Sequence, residues 1–265
     1  MKKLSILIST LLIASVGLVG CTTSSSKNIE SKDLLSKIKS EGKIRIGTEG
    51  TYAPYTFHDK SGKLTGFDVE IAEEVSKRLG VKPEFVETKW DGMFAGLDAK
   101  RFEMVVNQVG IKPDRKAKYD FSEPYIVSKA VLIVNSSDNT IKKFKDLLGK
   151  KSAQSLTSNL AKIAEANGAL LQPVDSFNQS IDLLVSKRVD AVVNDSISYL
   201  DLKKQKPSLA IKVVDEEENA QPSAIMFKKG NKELVDATNK ALTGMKADGT
   251  YLKISNKWFG SDVSK

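Results

Sequence analysis

Strand-like and helix-like segments alternate along most of the chain, and this alternation constrains the fold more than any other feature of the sequence. A first series runs strand, helix, strand, helix, strand from Lys43 to Asn107, an order that implies a parallel sheet with crossover helices. A second series starts at the apolar segment Ala130–Asn135, with no long linker before it. The sequence therefore predicts an α/β fold of two lobes, and small ligands commonly bind between lobes.

The spacing of apolar residues predicts the positions of the helices. Phe67, Ile71, Val75 and Leu79 form one helical stripe, which Gly80 ends. The same reasoning predicts helices at residues 31–40, 90–99, 158–167, 177–187, 197–205, 232–246 and 251–258. Periodicity does not decide which lobe the last two helices join.

The composition excludes several classes of protein. Of the 265 residues, 40% are hydrophobic and 28% are charged, as in a soluble globular protein with a proper core. The single cysteine excludes an internal disulfide and cysteine-type zinc sites, and the single histidine, His58, leaves little for a metal site or catalytic dyad. The formal charge of +8 comes from lysines scattered among acids, which favours a solvated surface. We expect no metal, no cofactor, no nucleic-acid partner and a monomer.

The N-terminus has the features of an export signal. Two lysines precede an apolar stretch that ends at Val19 and is typical of a secretory signal rather than a membrane span. The small residues before Cys21 resemble the lipobox of bacterial lipoproteins, which implies cleavage ahead of Cys21 and acylation of its sulfur. We therefore expect a signal peptide at residues 1–20, a lipidated tether at 21–28, and an extracytoplasmic protein anchored to the bacterial membrane. The alternative is a buried or chance cysteine after an uncleaved anchor.

Two charged residues lie where a sheet can present them to a ligand. Asp195 follows a predicted buried strand, and ligands of open α/β sheets sit at that edge. Its carboxylate suits an ammonium group, and the alternative is the N-cap of the next helix. Arg115 carries a planar guanidinium that can hold a carboxylate through two parallel bonds. The alternative for Arg115 is a surface arginine on a short helix.

Further candidates lie at neighbouring strand ends. Thr157 or Ser158 can cap a helix whose free N–H groups can also receive an anion such as a carboxylate. Tyr52 and Trp90 are either core residues or a sandwich for the apolar stem of a ligand. Glu49 ends the first strand, and its alternative is a simple solvent-facing acid.

Several segments together resemble one protein family. They are GTEGTYAPYTF, GKLTGFDVEIAEEV, WDGMFAGL, KPDRKAKYDFSEPY, VDAVVND and GTYLKISNKWFG, spread between Lys43 and Gly260. The set is similar to the substrate-binding proteins of polar amino-acid ABC importers, the bacterial solute-binding protein family 3. The resemblance implies a two-lobed periplasmic-binding-protein-like fold of type II, with the ligand cleft between lobes joined by two hinge strands. It also implies capture of a ligand without bond chemistry and its delivery to an ABC permease.

The resemblance implies roles for the candidate residues. Arg115 would clamp the α-carboxylate of an L-amino acid, and Asp195 would take its α-ammonium group. Tyr52 and Trp90 would flank the side chain of the ligand. Glu49 lies where the family reads the far end of that side chain.

The chain also departs from the commoner family pattern at two places. Many members carry a Gly-Met-Thr-like segment ahead of the arginine, whereas this chain has Asn-Gln-Val-Gly, so only the backbone N–H of Gly110 remains for the carboxylate. The turn at Thr157–Ser158, which would give its N–H groups to the carboxylate, reads Leu-Thr-Ser-Asn. Both departures resemble the cystine-binding subgroup and favour L-cystine as the ligand. Asn107, Gln108 and Asn159 would then offer neutral hydrogen bonds to its second half.

The resulting prediction divides the chain into two lobes. Lobe 1 comprises residues 29–129 and 223–265, and lobe 2 comprises 130–222, with hinge strands near Ser128–Val131 and Asn219–Ser223. One alternative is an enzyme on the same fold, such as a dehydratase, which needs a general acid and base near its substrate. A second is a binding protein for another polar or basic amino acid. A third is a receptor sensor domain, which requires a transmembrane segment joined to a signalling module.

Overall fold

The computed structural model of the protein describes residues 33–265, which belong to one compact unit. The predicted signal peptide at 1–20, the acylation site Cys21 and the tether at 21–28 lie outside the described residues. Within the described part, no helix combines the length and the apolar character needed to cross a membrane.

The described residues form helices and strands in alternation. The α-helices are α1 (Leu34–Glu41), α2 (Phe67–Leu79), α3 (Trp90–Asp98), α4 (Pro113–Lys118), α5 (Asn159–Ala166), α6 (Phe177–Val185), α7 (Ser196–Gln205), α8 (Lys232–Ala247) and α9 (Thr250–Phe259). The strands are β1 (Lys43–Thr48), β2 (Thr51–Tyr52), β3 (Thr56–His58), β4 (Leu64–Thr65), β5 (Lys82–Glu87), β6 (Met104–Gly110), β7 (Tyr119–Phe121), β8 (Ile126–Ser128), β9 (Ala130–Asn135), β10 (Lys151–Gln154), β11 (Leu170–Pro173), β12 (Ala191–Asp195), β13 (Ile211–Glu216) and β14 (Gln221–Lys228). A single 3₁₀ turn among the described residues spans Phe144–Leu147.

Two large sheets organise the fold. The first sheet has the order β5-β1-β6-β14-β7, with β8 also paired to β14, and the second has the order β11-β10-β12-β9-β13. The strands β5, β1 and β6 pair in parallel, which confirms the crossover order predicted for the first series. The strands β9, β13 and β14 run antiparallel to their neighbours. The chain passes from the first sheet to the second between Ser128 and Ala130 and returns between Glu216 and Gln221, so β14 enters the first sheet from the opposite direction.

The helix α2 shows how local sequence sets an element. It begins at Phe67 and ends at Leu79, the predicted bounds, and its stripe at Ile71 and Val75 is fully buried. Gly80 ends the helix with a φ of 79°, a left-handed conformation that glycine adopts without a steric penalty.

The C-terminal helices pack on the first-sheet side. Leu242 and Met245 of α8 and Tyr251 of α9 share one hydrophobic core with Ile44 of β1 and Phe67 of α2. Periodicity leaves the position of these two helices open, and the shared core places them beside the first sheet. The small sheet of β2, β3 and β4 was not predicted, because segments of two or three residues are too short to show a period. The short helix α4 carries Arg115, as one alternative for that residue expected, but Arg115 is buried there and not a surface residue.

Candidate ligand-binding site

A cavity of about 90 Å³ lies at the edge where strands of both sheets end. Glu49 follows β1, Gly110 ends β6 and Asp195 ends β12, which is the edge at which α/β sheets bind ligands. Nine predicted site residues line this cavity: Glu49, Tyr52, Trp90, Asn107, Gln108, Gly110, Ser158, Asn159 and Asp195. The side chains of both sheets therefore face one shared space.

Arg115 lies directly behind the cavity wall, on α4, with only 6% of its surface exposed. Its Nη1 donates to the Gly110 carbonyl at 3.1 Å, and its Nη2 donates to the Thr157 carbonyl at 3.4 Å. The guanidinium carbon lies 5.4 Å from the ring centroid of Trp90 and 5.2 Å from that of Phe94. Burial lowers the pKa of Arg115 to about 10, so it stays charged at neutral pH. A carboxylate would accept stronger, charge-assisted hydrogen bonds from these donors than the two neutral carbonyl groups do.

Asp195 combines both roles considered for it. It caps α7, because its Oδ1 accepts hydrogen bonds from the N–H groups of Ile197 at 2.9 Å and Ser198 at 3.4 Å. The Tyr55 hydroxyl donates to the same oxygen at 2.5 Å, and the Ser128 hydroxyl donates to Oδ2. Burial raises the pKa of Asp195, and these bonds oppose the rise. The carboxylate is thus held in a fixed orientation on the cavity wall, where a cationic group can meet it.

Glu49 is a cavity acid and not a simple solvent-facing one. Its Oε2 accepts a hydrogen bond from Asn107 Nδ2 at 2.6 Å, and its backbone N–H donates to Asn107 Oδ1 at 2.8 Å. Burial raises the pKa of Glu49 to about 7, helped by the negative charges of Asp91 and Asp68 and opposed by the Asn107 bond. A neighbouring cation would stabilise its ionised form.

The turn before α5 differs from its predicted use. Ser158 does cap the helix, since its Oγ accepts from the Ala161 N–H at 2.9 Å. The Ser158 N–H, however, donates to the Ser155 carbonyl at 3.0 Å, and the Thr157 N–H donates to the Asp91 carboxylate at 2.9 Å. These two N–H groups therefore have protein acceptors, and Thr157 is not among the residues that line the cavity.

The two predicted aromatic residues lie on the cavity wall with a third that was not predicted. The Tyr52 ring meets the Phe177 ring edge-on at 6.4 Å between centroids, and the Tyr52 hydroxyl donates to Asn194 Oδ1 at 2.9 Å. Phe177 begins α6 at a strand-to-helix turn, the same signal that identified Trp90. Other lining residues that sequence reasoning missed include Ser128, Gln154, Ser180, Asn194 and Gln221.

Asp68 supports the site from behind and was also missed. It is fully buried in α2 and accepts hydrogen bonds from the Gln108 backbone N–H at 2.9 Å and from Gln108 Nε2 at 2.7 Å. Gln108 has a φ of 52°, so these bonds hold its backbone in a left-handed conformation that residues other than glycine rarely adopt. Burial raises the pKa of Asp68 to about 7, against the hydrogen bonds from Gln108 and Tyr125. The sequence signal that could have identified Asp68 is its position as an acid among the apolar residues at the start of α2.

Residues 44–261 match the family described as bacterial extracellular solute-binding proteins, family 3. The chain belongs to this family. It is 47% identical to the L-cystine-binding protein TcyA of Bacillus subtilis strain 168, over the full length of both chains. Two similar solved structures are the L-cystine solute receptor of Neisseria gonorrhoeae in its unliganded open conformation and an ancestral arginine-binding protein bound to arginine. The receptor is 47% identical, with a TM-score of 0.58 over 87% of this chain and 98% of that one. The ancestral protein is 40% identical, with a TM-score of 0.78 over 82% and 98%.

Family membership confirms the predicted two-lobed α/β fold and an extracytoplasmic location. It also favours a binding protein over a dehydratase, because the named relatives are solute-binding proteins. His58 does not line the cavity; its Nε2 lies 3.1 Å from Glu87 Oε1 and its Nδ1 lies 3.2 Å from the Gly50 carbonyl.

Proposed function

We propose that this protein is the substrate-binding component of an amino-acid ABC importer and that its ligand is L-cystine. The observation that carries the proposal is the presence of two separate acids in the lining of one cavity. Neither Glu49 nor Asp195 has a basic partner among the described residues. Two such acids fit a ligand with two cationic groups, and cystine carries two zwitterions joined by a disulfide.

The first zwitterion uses residues from both sheet systems. Arg115 receives the α-carboxylate through its guanidinium, and the Gly110 N–H adds a hydrogen bond. Asp195 receives the α-ammonium group. The rings of Tyr52 and Trp90 flank the disulfide-bearing stem, where sulfur gains from contact with aromatic edges.

The second zwitterion lies toward the end of β1. Glu49 pairs with the distal ammonium group, which offsets the burial of both charges. The side chains of Asn107, Gln108 and Asn159 provide neutral hydrogen bonds to the distal carboxylate, and Ser158 completes the proposed set near the first. All of these line the cavity, whereas Thr157 does not and is left out of the ligand contacts.

Capture works by closure of two lobes, residues 29–129 with 223–265 and residues 130–222, about hinge strands near Ser128–Val131 and Asn219–Ser223. The structure has a higher TM-score to an arginine-bound protein, 0.78, than to an unliganded open receptor, 0.58, although the receptor is more similar in sequence. This difference supports a closed arrangement of the lobes. Ligand contacts from both lobes favour the closed state, which then delivers the ligand to the permease.

A basic amino acid is the second candidate ligand. The same buried Glu49 can pair with a guanidinium or a side-chain ammonium group, and one similar structure is an ancestral arginine-binding protein. A thermal-shift screen of the chain from Lys27 onward, which contains every described residue, separates these candidates. A ligand at a hundredfold its Kd stabilises a protein by about 2.7 kcal/mol, so cystine should give the largest shift in the panel. A larger shift with arginine or lysine would replace cystine by that ligand.

Glu49→Gln should weaken cystine binding by about tenfold, on the order of 1.4 kcal/mol, with little effect on cysteine. The substitution keeps the shape of the side chain and removes its charge, and cysteine has no distal ammonium group to lose a partner. Titration calorimetry of both ligands measures the difference.

The pH dependence of binding gives this test a second readout. Because burial raises the pKa of Glu49 to about 7, cystine affinity in the wild-type protein should fall as the pH drops from about 8 to about 6 and Glu49 takes up a proton. The Glu49→Gln variant should lose this slope. Glu87→Gln is the matched control, since Glu87 is an exposed acid of β5 that pairs with His58. Equal losses for cystine and cysteine would remove Glu49 from the distal site.

The proposal includes a lipid anchor at Cys21 and a monomeric protein. Acyl chains contribute roughly 0.8 kcal/mol for each buried CH₂, so an acylated protein partitions into detergent. Cys21→Ser should move the protein to the aqueous phase of a detergent separation and leave ligand binding unchanged. Unaltered partitioning would disprove acylation at Cys21.

A further inference from the structure

Asp91 joins the two sheet systems through three hydrogen bonds. It lies in the first turn of α3, which packs on the first sheet, and its partners lie in the turn between β10 and α5 of the second. Its Oδ1 accepts from the Thr157 N–H at 2.9 Å and from the Thr157 hydroxyl at 2.7 Å, and its Oδ2 accepts from the Leu156 N–H at 3.3 Å. A carboxylate from one side thus binds a turn on the other.

The Asp91 carboxylate occupies the place, at the Leu156–Thr157 turn, where the sequence predicts the carboxylate of the ligand. Backbone N–H groups ahead of a helix attract negative charge, and Asp91 satisfies two of them and a hydroxyl group. Asp91 does not line the cavity, so its carboxylate acts on the turn and not on the ligand.

The residues beside Asp91 connect this contact to the cavity. Trp90 lines the cavity and lies against the Arg115 guanidinium. Lys89 Nζ pairs with Asp175 Oδ2 across the same gap at 2.6 Å, but the two side chains are 71% and 52% exposed. Exposed pairs of this kind contribute little, whereas bonds from a charged group to backbone N–H groups are among the stronger ones.

We propose that Asp91 is a closure latch: a positioning residue that binds the Leu156–Thr157 turn only when the lobes are closed and never contacts the ligand. The effect of the latch on affinity rests on the proposed function, because it requires that the lobes close around an amino acid, whereas its effect on lobe closure is also present in the unliganded protein. Its effect is on the population of the closed state, and apparent affinity scales with that population. The latch therefore strengthens the binding of every ligand by the same factor.

Asp91→Ala should raise Kd by about tenfold for each amino acid that binds, through faster dissociation at an unchanged association rate. Stopped-flow fluorescence of the tryptophans gives both rates, and at least two ligands with different distal groups are compared. A loss that differs between ligands, or that falls on the association rate, would overturn the latch.

Asp138→Ala is the matched control. Asp138 Oδ1 also accepts from two backbone N–H groups and a threonine hydroxyl, those of Thr140 at 2.7 and 3.0 Å and of Ile141 at 3.0 Å, but all within one segment of the second-sheet side. This variant should lower the melting temperature and leave Kd within twofold of the wild type. An equal loss of affinity in both variants would mean that Asp91 acts through general stability.

Thr157→Val completes a double-mutant cycle. If Thr157 acts through Asp91, the hydroxyl loss should weaken binding in the wild-type background and have no further effect beside Asp91→Ala. A further loss in that background would place Thr157 on the ligand and contradict the latch.

Should the wild-type protein bind no amino acid, the proposed function fails by itself. Small-angle X-ray scattering of the unliganded proteins then tests the latch, because only Asp91→Ala should increase the radius of gyration, and equal radii would overturn it.

Discussion

Replacing Arg115 with lysine should weaken amino-acid binding roughly tenfold to a hundredfold, the equivalent of one lost charge-assisted bond at about 1.5–3 kcal/mol. Lysine keeps the positive charge but has no planar pair of donors for a carboxylate. It also loses the flat packing of the guanidinium against Trp90 and Phe94, which holds Arg115 behind the cavity wall. Titration calorimetry measures the loss.

Arg45→Lys is the matched control for Arg115→Lys. Arg45 lies in β1 of the first sheet and pairs with Glu103, and neither residue lines the cavity. It should bind ligand like the wild type, and melting temperatures of both variants account for any loss of stability. Wild-type affinity in Arg115→Lys would remove the guanidinium from the site.

Asp195→Asn should weaken binding to a similar degree, because the α-ammonium group loses its counter-charge. The fold should survive, since asparagine is as good an N-cap as aspartate and keeps an oxygen for the N–H groups of α7. The Tyr55 hydroxyl can still donate to that oxygen, and the Ser128 hydroxyl, which donates to the other carboxylate oxygen of Asp195, can instead accept from the amide nitrogen. The loss should therefore appear in calorimetry and not in the melting temperature.

Asp33→Asn separates capping from ligand binding. Asp33 is the N-cap of α1 and accepts from the Ser36 N–H at 2.9 Å, the role that Asp195 has in α7, but it does not line the cavity. Both variants should leave the melting temperature close to that of the wild type, and only Asp195→Asn should lose affinity. If Asp195→Asn binds as tightly as the wild type, the carboxylate is a cap alone.

Long elements with a buried face were predictable from the sequence. The bounds of α2 and of β9 agree with the prediction. The buried face of α2 appears in the sequence as a stripe of apolar residues, and the fully buried β9 appears as a continuous apolar run. The short elements β2, β3 and β4 were missed, since two or three residues cannot show a period. The antiparallel entry of β14 was missed because strand direction depends on where the chain returns.

The site residues also include some that the sequence predicted and some that it did not. The sequence by itself placed Glu49, Asn107 and Asp195 at strand ends, which is the edge at which α/β sheets bind ligands, and all three line the cavity. The family resemblance added the expected roles, which no periodicity contains.

Only the tertiary structure decided which groups meet. Tyr55 and Asp195 are 140 residues apart, and Asp91 and Thr157 are 66 apart, so neither contact leaves a trace in local sequence. The burial that raises the pKa of Glu49 likewise comes from residues packed around it in space. The pattern of apolar and polar residues in a segment indicates which of its faces is buried. Hydrogen-bond partners and charge environments depend instead on how distant segments pack. The turn at Thr157 is the clearest case: its sequence indicates a site for an anion, and the fold brings Asp91 to it.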